Sequence, residues 1–478
     1  EQTGIWIEQG GLPGIAAHSV GAEIWLDQER QPHISIDGLV GGGLNDALRD
    51  LRNSSLAVYV PEASQNWEIK GALEGRLMLA TSLTGSIRPE VDLKLNLSGV
   101  DMTPVPGLTI ENMEGALSYS TARGFSSEVL KGSLWRESFE ARIVTQKADE
   151  VTTQIQFSTK VDGTSLENFL DLGIQGRVTG GTAVDGSLVL SARQASLQLG
   201  SDLKGLALNL PQPLSKTAQS GLALRFDLNL RSPELLGALS LGQHVNLAAQ
   251  FAPDQRGFAL GLGRPPLPLE AGLASLTGTV AELDLDAWQA VLPQGQMGSK
   301  AHYLVQDLRV GRLRFMQRDV DALVLMAERE DADWFVGWQT DWLSGELSSK
   351  AQDDYWRLHL LDIDLQQLPD SWLLDTKSPQ TTEISLPQLN VSLDQVRSGD
   401  AVLGRGELIL SQSGPAYGLT VTNGEWRRLR VDPEQPIVLR WPKQGLITSR
   451  VSGGLLVDNL GDVFEDFGYE SVLKTRSG

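Results

Sequence analysis

A period-two alternation of apolar and polar residues recurs along this chain and constrains its fold more than any other feature. Val91, Leu93, Leu95 and Leu97 alternate with Asp92, Lys94, Asn96 and Ser98. Leu222, Leu224, Phe226, Leu228 and Leu230 alternate with Ala223, Arg225, Asp227 and Asn229. Ile384, Leu386, Leu389, Val391 and Leu393 do the same apart from one slip at Pro387, the mark of a bulge or an edge position. Successive side chains of a strand point to opposite faces, so this period gives each strand one dry and one wet face. The 50 glycines and 21 prolines punctuate the runs as turns. The expected class is mainly β.

Helix signals are few and short. Thr164 is expected to start one, with Glu167 as its capping-box partner and Gly173 as its stop. Asp284 starts a second, which carries Leu285, Trp288 and Leu292 before Pro293. A third is expected near Gln366 to Leu374, and a fourth from Asn459 with Leu460, Val463, Phe464 and Phe467. A fifth spans Asn45 to Arg52, after Gly41-Gly42-Gly43. Four of the five follow a strand and a Leu-rich turn and are followed by strands again. That is a degenerate internal repeat, and it fits an elongated array whose units share one sheet. A set of unrelated sandwiches with helical crossovers is the other architecture this pattern allows.

Charge and composition remove several function classes. The formal charge is -20, from 60 acidic and 40 basic residues. A nucleic-acid surface needs cations to displace counterions, so no nucleic-acid partner is expected. Cysteine is absent, which excludes disulfides, thiolate metal sites and cysteine catalysis. His18, His33, His244, His302 and His359 are scattered singly, without metal-ligand spacing. No Gly-x-Ser-x-Gly elbow occurs, and no Lys-Ser/Thr follows the glycine triplet. Glu328, Glu330, Asp331 and Asp333 read as a solvated hairpin turn rather than a cation site. We therefore expect no catalytic residues, no metal and no cofactor. Trp334, Trp338, Trp342 and Trp356 cluster; even spacing places the first three on one strand face, either as core or as an aromatic wall.

Four stretches carry a family resemblance. Ser201-Asp202-Leu203-Lys204-Gly205-Leu206 leads to Leu210-Pro211-Gln212-Pro213-Leu214-Ser215-Lys216. Asp284-Leu285-Asp286-Ala287-Trp288 forms a strand-exit helix. Leu308 to Leu313 runs through Trp334 to Leu343-Ser344-Gly345-Glu346-Leu347. Asp458-Asn459-Leu460-Gly461 runs through Phe467-Gly468-Tyr469. In order and combination these resemble the YhdP-type AsmA-like proteins, over roughly residues 160 to 478.

The resemblance implies a long antiparallel, twisted sheet folded over into an elongated apolar groove, with a few short helices. It implies a periplasmic segment of an inner-membrane-anchored lipid conduit in a diderm bacterium, moving phospholipid between the inner and outer membranes. The anchor helix would lie outside this chain, which reads as a middle fragment, and a further partner would sit in the outer membrane or periplasm. Residues 1-160 form the β-rich first part of the groove, and 161-478 the repeat region continuous with it. The groove candidates are Leu93, Leu95, Leu97, Leu222, Leu224, Phe226, Leu228, Leu230, Leu389, Val391 and Leu393. The competing reading is a structural or interaction scaffold in which the same faces pack dry against each other, about 10 Å apart.

Overall fold

The computed structural model describes residues 3–12, 15–52, 67–84, 89–105, 107–170, 174, 176–230, 235–251, 256–291, 302–369, 388–413, 416–442 and 450–466. The protein is mainly β, with four short helices among these residues. It divides into two compact units. The first comprises Glu1–Leu210, Leu214–Gly242 and Phe251–Pro253; the second comprises Pro211–Pro213, Gln243–Gln250 and Asp254–Gly478.

The first unit holds β1 (Thr3–Leu12), β2 (Ile15–Leu26), β3 (Pro32–Gly43), β4 (Glu68–Ser82), β5 (Glu90–Val105), β6 (Leu108–Ser120), β7 (Gly124–Ser127), β8 (Leu130–Leu134), β9 (Glu137–Lys147), β10 (Val151–Asp162), β11 (Val178–Ser191), β12 (Ala195–Ser201), β13 (Leu206–Leu208), β14 (Leu224–Asn229) and β15 (Leu235–Leu241). β1 to β6 pair in chain order, all antiparallel. β7 and β8 each bridge β6 to β9. The ladder continues β9–β10–β11–β12–β14–β15, again antiparallel, and passes through residue 160 without interruption.

The second unit holds β16 (Val245–Phe251), β17 (Arg256–Leu262), β18 (Leu273–Asp284), β19 (His302–Phe315), β20 (Arg318–Glu330), β21 (Asp333–Gln339), β22 (Leu343–Ser349), β23 (Tyr355–Asp364), β24 (Gln388–Ser398), β25 (Ala401–Ser413), β26 (Ala416–Trp426), β27 (Leu429–Val431), β28 (Ile437–Pro442), β29 (Arg450–Ser452) and β30 (Leu455–Val457). Among the described residues three of its pairs are parallel: β17–β18, β18–β19 and β23–β24. The meanders β19 to β23 and β24–β25–β26–β28–β29 are antiparallel.

The helices are α1 (Leu44–Arg52), α2 (Gly163–Leu170), α3 (Leu285–Val291) and α4 (Leu460–Asp466). Two expected starts are seen as caps. Asp284 accepts the Ala287 N–H at 2.9 Å, and Asn459 accepts the Gly461 N–H at 3.0 Å.

Two expectations are corrected. α2 is capped by Asp162, which accepts the Ser165 N–H at 3.0 Å. Glu167 does not complete a capping box; its buried carboxylate turns forward to the N–H groups of Gly176, Arg177 and Val178. A carboxylate closed off from water takes the donors within reach, and the start of β11 supplies three. Around Gln366 the described residues form a turn instead of a helix, tied by the Asp364 carboxylate to the Gln366 N–H at 3.1 Å. Gly41-Gly42-Gly43 is the end of β3, paired with Glu74, Leu73 and Ala72, so these backbone groups already serve the ladder. Gly173, Leu292, Pro293 and Phe467, and residues 370–374 of the expected third helix, lie outside the described residues.

A packed core sits in the first unit. Ile69, Leu97, Val100, Ile110, Met113, Leu130, Leu134, Phe139 and Ala141 are buried together, and Leu44 and Leu48 of α1 pack against them. Each of these side chains larger than alanine contributes about 1.5–3 kcal/mol by leaving water.

Candidate functional site

Residues directly opposite in a ladder share a sheet face, so register alone traces which side chains form one surface. In the first unit Leu77, Leu93 and Tyr119 are opposite one another, as are Leu95 and Leu117. Toward β1 the same face runs Val91–Leu79–Ile36–Ala22–Ile5. From β9 onward two rows cross the ladder. One is Ile143–Ile155–Leu188–Leu197–Leu228–Gly237, and the other Ala141–Phe157–Gly186–Leu199–Phe226–Leu239. None of these residues is charged. The wet face carries the ions instead: Arg76 with Asp37, and Arg225 with Asp227 at 2.8 Å.

The second unit repeats the arrangement. A single row runs Leu260–Leu276–Val305–Ala327–Val336–Leu347–Leu358–Val391–Leu408–Val421–Ile437, from β17 to β28. Beside it run Leu308–Leu325–Trp338–Gly345–Leu360–Leu393–Gly406 and Trp356–Leu389–Leu410–Leu419–Leu439. Again no residue in these rows is charged.

Two glycines keep the faces low. A Cβ on Gly186 would meet the Phe157 ring at 2.1 Å, and one on Gly345 would meet Trp338 and Leu360 at 3.0 Å. The rings lie across the backbone of the next strand instead of standing up from it. This is a physical reason for the glycine of Leu343-Ser344-Gly345-Glu346-Leu347.

The predicted groove residues separate by burial. Leu93, Leu95, Leu224, Phe226, Leu228, Leu389 and Leu393 are half-buried on these faces. Leu97 is 7% exposed, inside the packed core, and Val391 is 8% exposed. Leu222 precedes β14 and packs, with Leu224, against a second buried cluster of Val178, Leu203 and Leu206. Leu230 lies just past β14, 36% exposed, its N–H bonded to the Ala195 carbonyl at 2.8 Å. Ile384, Leu386 and Pro387 lie outside the described residues. Trp334 and Trp338 share the apolar face of β21, with Trp356 on the same face of β23. Trp342 falls beyond the strand end and is buried at 7%.

Several polar residues that the alternation could not point to hold the ends of these faces. Lys216 is buried and donates to the carbonyls of Leu203 (2.6 Å), Leu206 (2.7 Å) and Thr217 (3.0 Å). Burial pushes its ammonium below the usual lysine value. Gly180 and Gly205, both at positive φ, let β11 approach the turn before β13, where a Cβ on Gly180 would meet the Gly205 carbonyl at 2.1 Å. The Ser201-to-Lys216 stretch is thus a packed tie, not lining.

In the second unit Arg264 bonds Asp307 at 3.1 Å and the Thr277 hydroxyl, across β18 and β19. Arg397 bonds Asp362 at 3.0 Å and the fully buried Asp364 at 2.7 Å, across β23 and β24. The Asp307 carboxyl is held below its ordinary value, first by Arg264 and then by Arg309.

A cleft of about 1470 Å³ at β1 to β6 mixes apolar Ile36, Leu79 and Val91 with Asp37, Arg76 and Arg123. Among the described residues no group of three or more acidic or histidine side chains could hold a metal ion. None of the described helices is long and apolar enough to cross a membrane.

Comparison with known proteins adds identity to this geometry. No solved structure matches the chain. The intermembrane phospholipid transporter YhdP of Escherichia coli (strain K12) is 25% identical over 290 residues, covering 56% of this chain and 22% of that protein. The chain therefore matches about a fifth of that relative's length. The family described as YhdP protein matches residues 4–478, and the chain belongs to that family.

Proposed function

We propose that this chain is a segment of a phospholipid conduit in the bacterial envelope, with the two apolar faces as the surface along which acyl chains lie. The observation that carries this reading is the continuity of uncharged rows, strand after strand, with most of their side chains left half-buried. The similar transporter acts on phospholipid between membranes, and the family is shared. On this reading the chain works in the periplasm as part of a protein anchored in the inner membrane. Each unit's face lines an apolar groove. It does no chemistry. Exposing the two acyl chains of a phospholipid to water costs on the order of 20 kcal/mol at about 0.8 kcal/mol per methylene, and a continuous apolar surface removes that barrier along the route. Leu93, Leu95, Phe226, Leu228, Leu389 and Leu393 line the path. Leu97 and Val391 act as packed floor beneath it.

The test is photocrosslinking in cells. Photoreactive residues at 93, 95, 226, 228 and 393 are expected to capture phospholipid, identified by mass spectrometry of the adduct. The same group at Lys94, Arg225 or Asp394 on the wet face is expected to capture little. Equal capture at both sets refutes the assignment of faces, and capture at neither favours the packed scaffold.

A further inference from the structure

The second unit's apolar face carries at its rim an arginine that meets no carboxylate among the described residues. Arg329 lies on β20 directly opposite Tyr303 of β19 and Trp334 of β21. Its guanidinium carbon sits 5.1 Å from the Trp334 ring centre and 5.8 Å from that of Tyr303. Its Nε donates to the Asp331 carbonyl at 3.0 Å.

Other arginines of these strands meet carboxylates. Arg312 bonds Asp321 and Arg314 bonds Asp319, each at 3.1 Å, and Arg357 bonds Asp353 at 2.8 Å. Among the described residues no carboxylate pairs with Arg329. The neighbouring acids Glu328 and Glu330 alternate onto the opposite face, where Glu328 meets His302 at 3.2 Å.

An arginine is always charged, and its planar fork offers two terminal nitrogens to a tetrahedral oxyanion. Two rings flank the guanidinium, one on each neighbouring strand. One strand repeat inward, about 7 Å away, Ala327 begins the uncharged row on the same face. A phosphate with hydrocarbon attached matches that pairing of charge and apolar surface. A free phosphate matches only half of it.

We propose that Arg329, stacked between Tyr303 and Trp334, binds the phosphate of a phospholipid whose acyl chains lie along the row at Ala327. This rests on the acyl-binding reading of the face. The test uses the purified full chain and three probes: dioctanoyl phosphatidylglycerol, dioctanoylglycerol and inorganic phosphate. Affinities are read by titration calorimetry.

Arg329→Gln is expected to weaken the phosphatidyl lipid about ten-fold and to leave dioctanoylglycerol unchanged. Arg329→Lys, which keeps charge and stem without the fork, is expected to lose about three-fold. Equal loss for both lipids, or no loss for either, overturns the site. Inorganic phosphate bound through Arg329 as tightly as the lipid overturns the lipid as its source. A wild-type protein that binds neither lipid overturns the acyl-binding reading itself. Should Arg329→Gln fail to fold, full retention of affinity by Arg329→Lys overturns the bidentate contact.

Discussion

The two units build the same kind of surface by different connections. In the first, every described strand pair is antiparallel. In the second, three pairs are parallel, and each parallel pair needs a crossover. A crossover leaves strand ends without a hairpin partner, and there the second unit places polar clamps, each with one buried member, Thr277 or Asp364. Arg264 with Thr277 and Asp307 holds β18 to β19; Arg397 with Asp362 and Asp364 holds β23 to β24. In the first unit buried apolar clusters close the face, with Leu97 and Val100 at one and Leu203 and Leu206, tied by Lys216, at the other. Two parallel pairs of the second unit thus carry ion-pair clamps, whereas the buried ions of the first unit, Glu167 and Lys216, bond backbone groups. In both the middle of the face stays apolar and half-open.

The largest effect that could break this comparison lies within the first unit. Leu97→Asp puts a carboxylate into a packed core that offers it no partner, and we expect a loss of about 4 kcal/mol or more in chemical denaturation. Leu228→Asp makes the same change on the half-open row and is expected to cost only ~1 kcal/mol. It should nevertheless abolish phospholipid passage in the anchored full-length protein, because each acyl chain must then slide past an ion or a proton must be taken up. Similar unfolding of both variants means the row is as closed as the core. Normal passage by a folded Leu228→Asp protein removes that position from the path.

How far the sequence reached follows from where its signal is local. Alternation at Leu93 and Leu95 or at Phe226 and Leu228 assigns a face within each strand. Four of the five helix starts lie within a residue or two of those observed. Alternation says nothing about which strands are neighbours. Register, which joins Leu188 to Leu197 and Leu228, depends on partners scattered along the chain. Nor does it reveal depth: Leu93 and Leu97 read alike in sequence, yet the core formed with Met113 and Leu130 buries only the second. Glu167 and Lys216 were illegible for the same reason, since their partners are backbone groups brought in by the fold. Arg329 hid inside an acidic run that reads as a solvated turn, and only its pairing with Tyr303 and Trp334 moves it onto the apolar face.

The next test sharpens the contrast by removing one clamp. Asp364 is fully buried. Burial raises its carboxyl pKa, but the N–H groups of Gly399 and Gln366, together with Arg397, outweigh this and leave it below the ordinary value. A carboxyl depressed on folding adds stability above its unfolded value of about 4 and loses it as the pH falls below that. Asp364→Asn should therefore melt below wild type at pH 7, and the gap should narrow as the pH drops below about 4. Hydrogen exchange should quicken in β23 and β24 while the first unit keeps its protection. A gap independent of pH would mean that the charge contributes nothing and shape alone matters.

The smallest expected effect is the control on the wet face of the first unit. Asp227 alternates with Phe226 and Leu228 and meets Arg225 at 2.8 Å, the arginine side chain being 69% exposed. An ion pair this open is already screened by water, and the guanidinium left behind by Asp227→Leu stays hydrated. The new leucine adds one apolar side chain to a polar surface, too little for a patch that recruits partners. The melting temperature should move by no more than about 1 °C, and photocapture of phospholipid at 226 and 228 should be unchanged. In the proposed function the leucine one residue away, Leu228, lines the acyl path, so this substitution separates the identity of a face from mere proximity along the strand. If Asp227→Leu cuts lipid capture by half or more in a folded protein, the lipid contacts both faces of β14, and the division into dry and wet surfaces fails at the strand where the alternation is strongest.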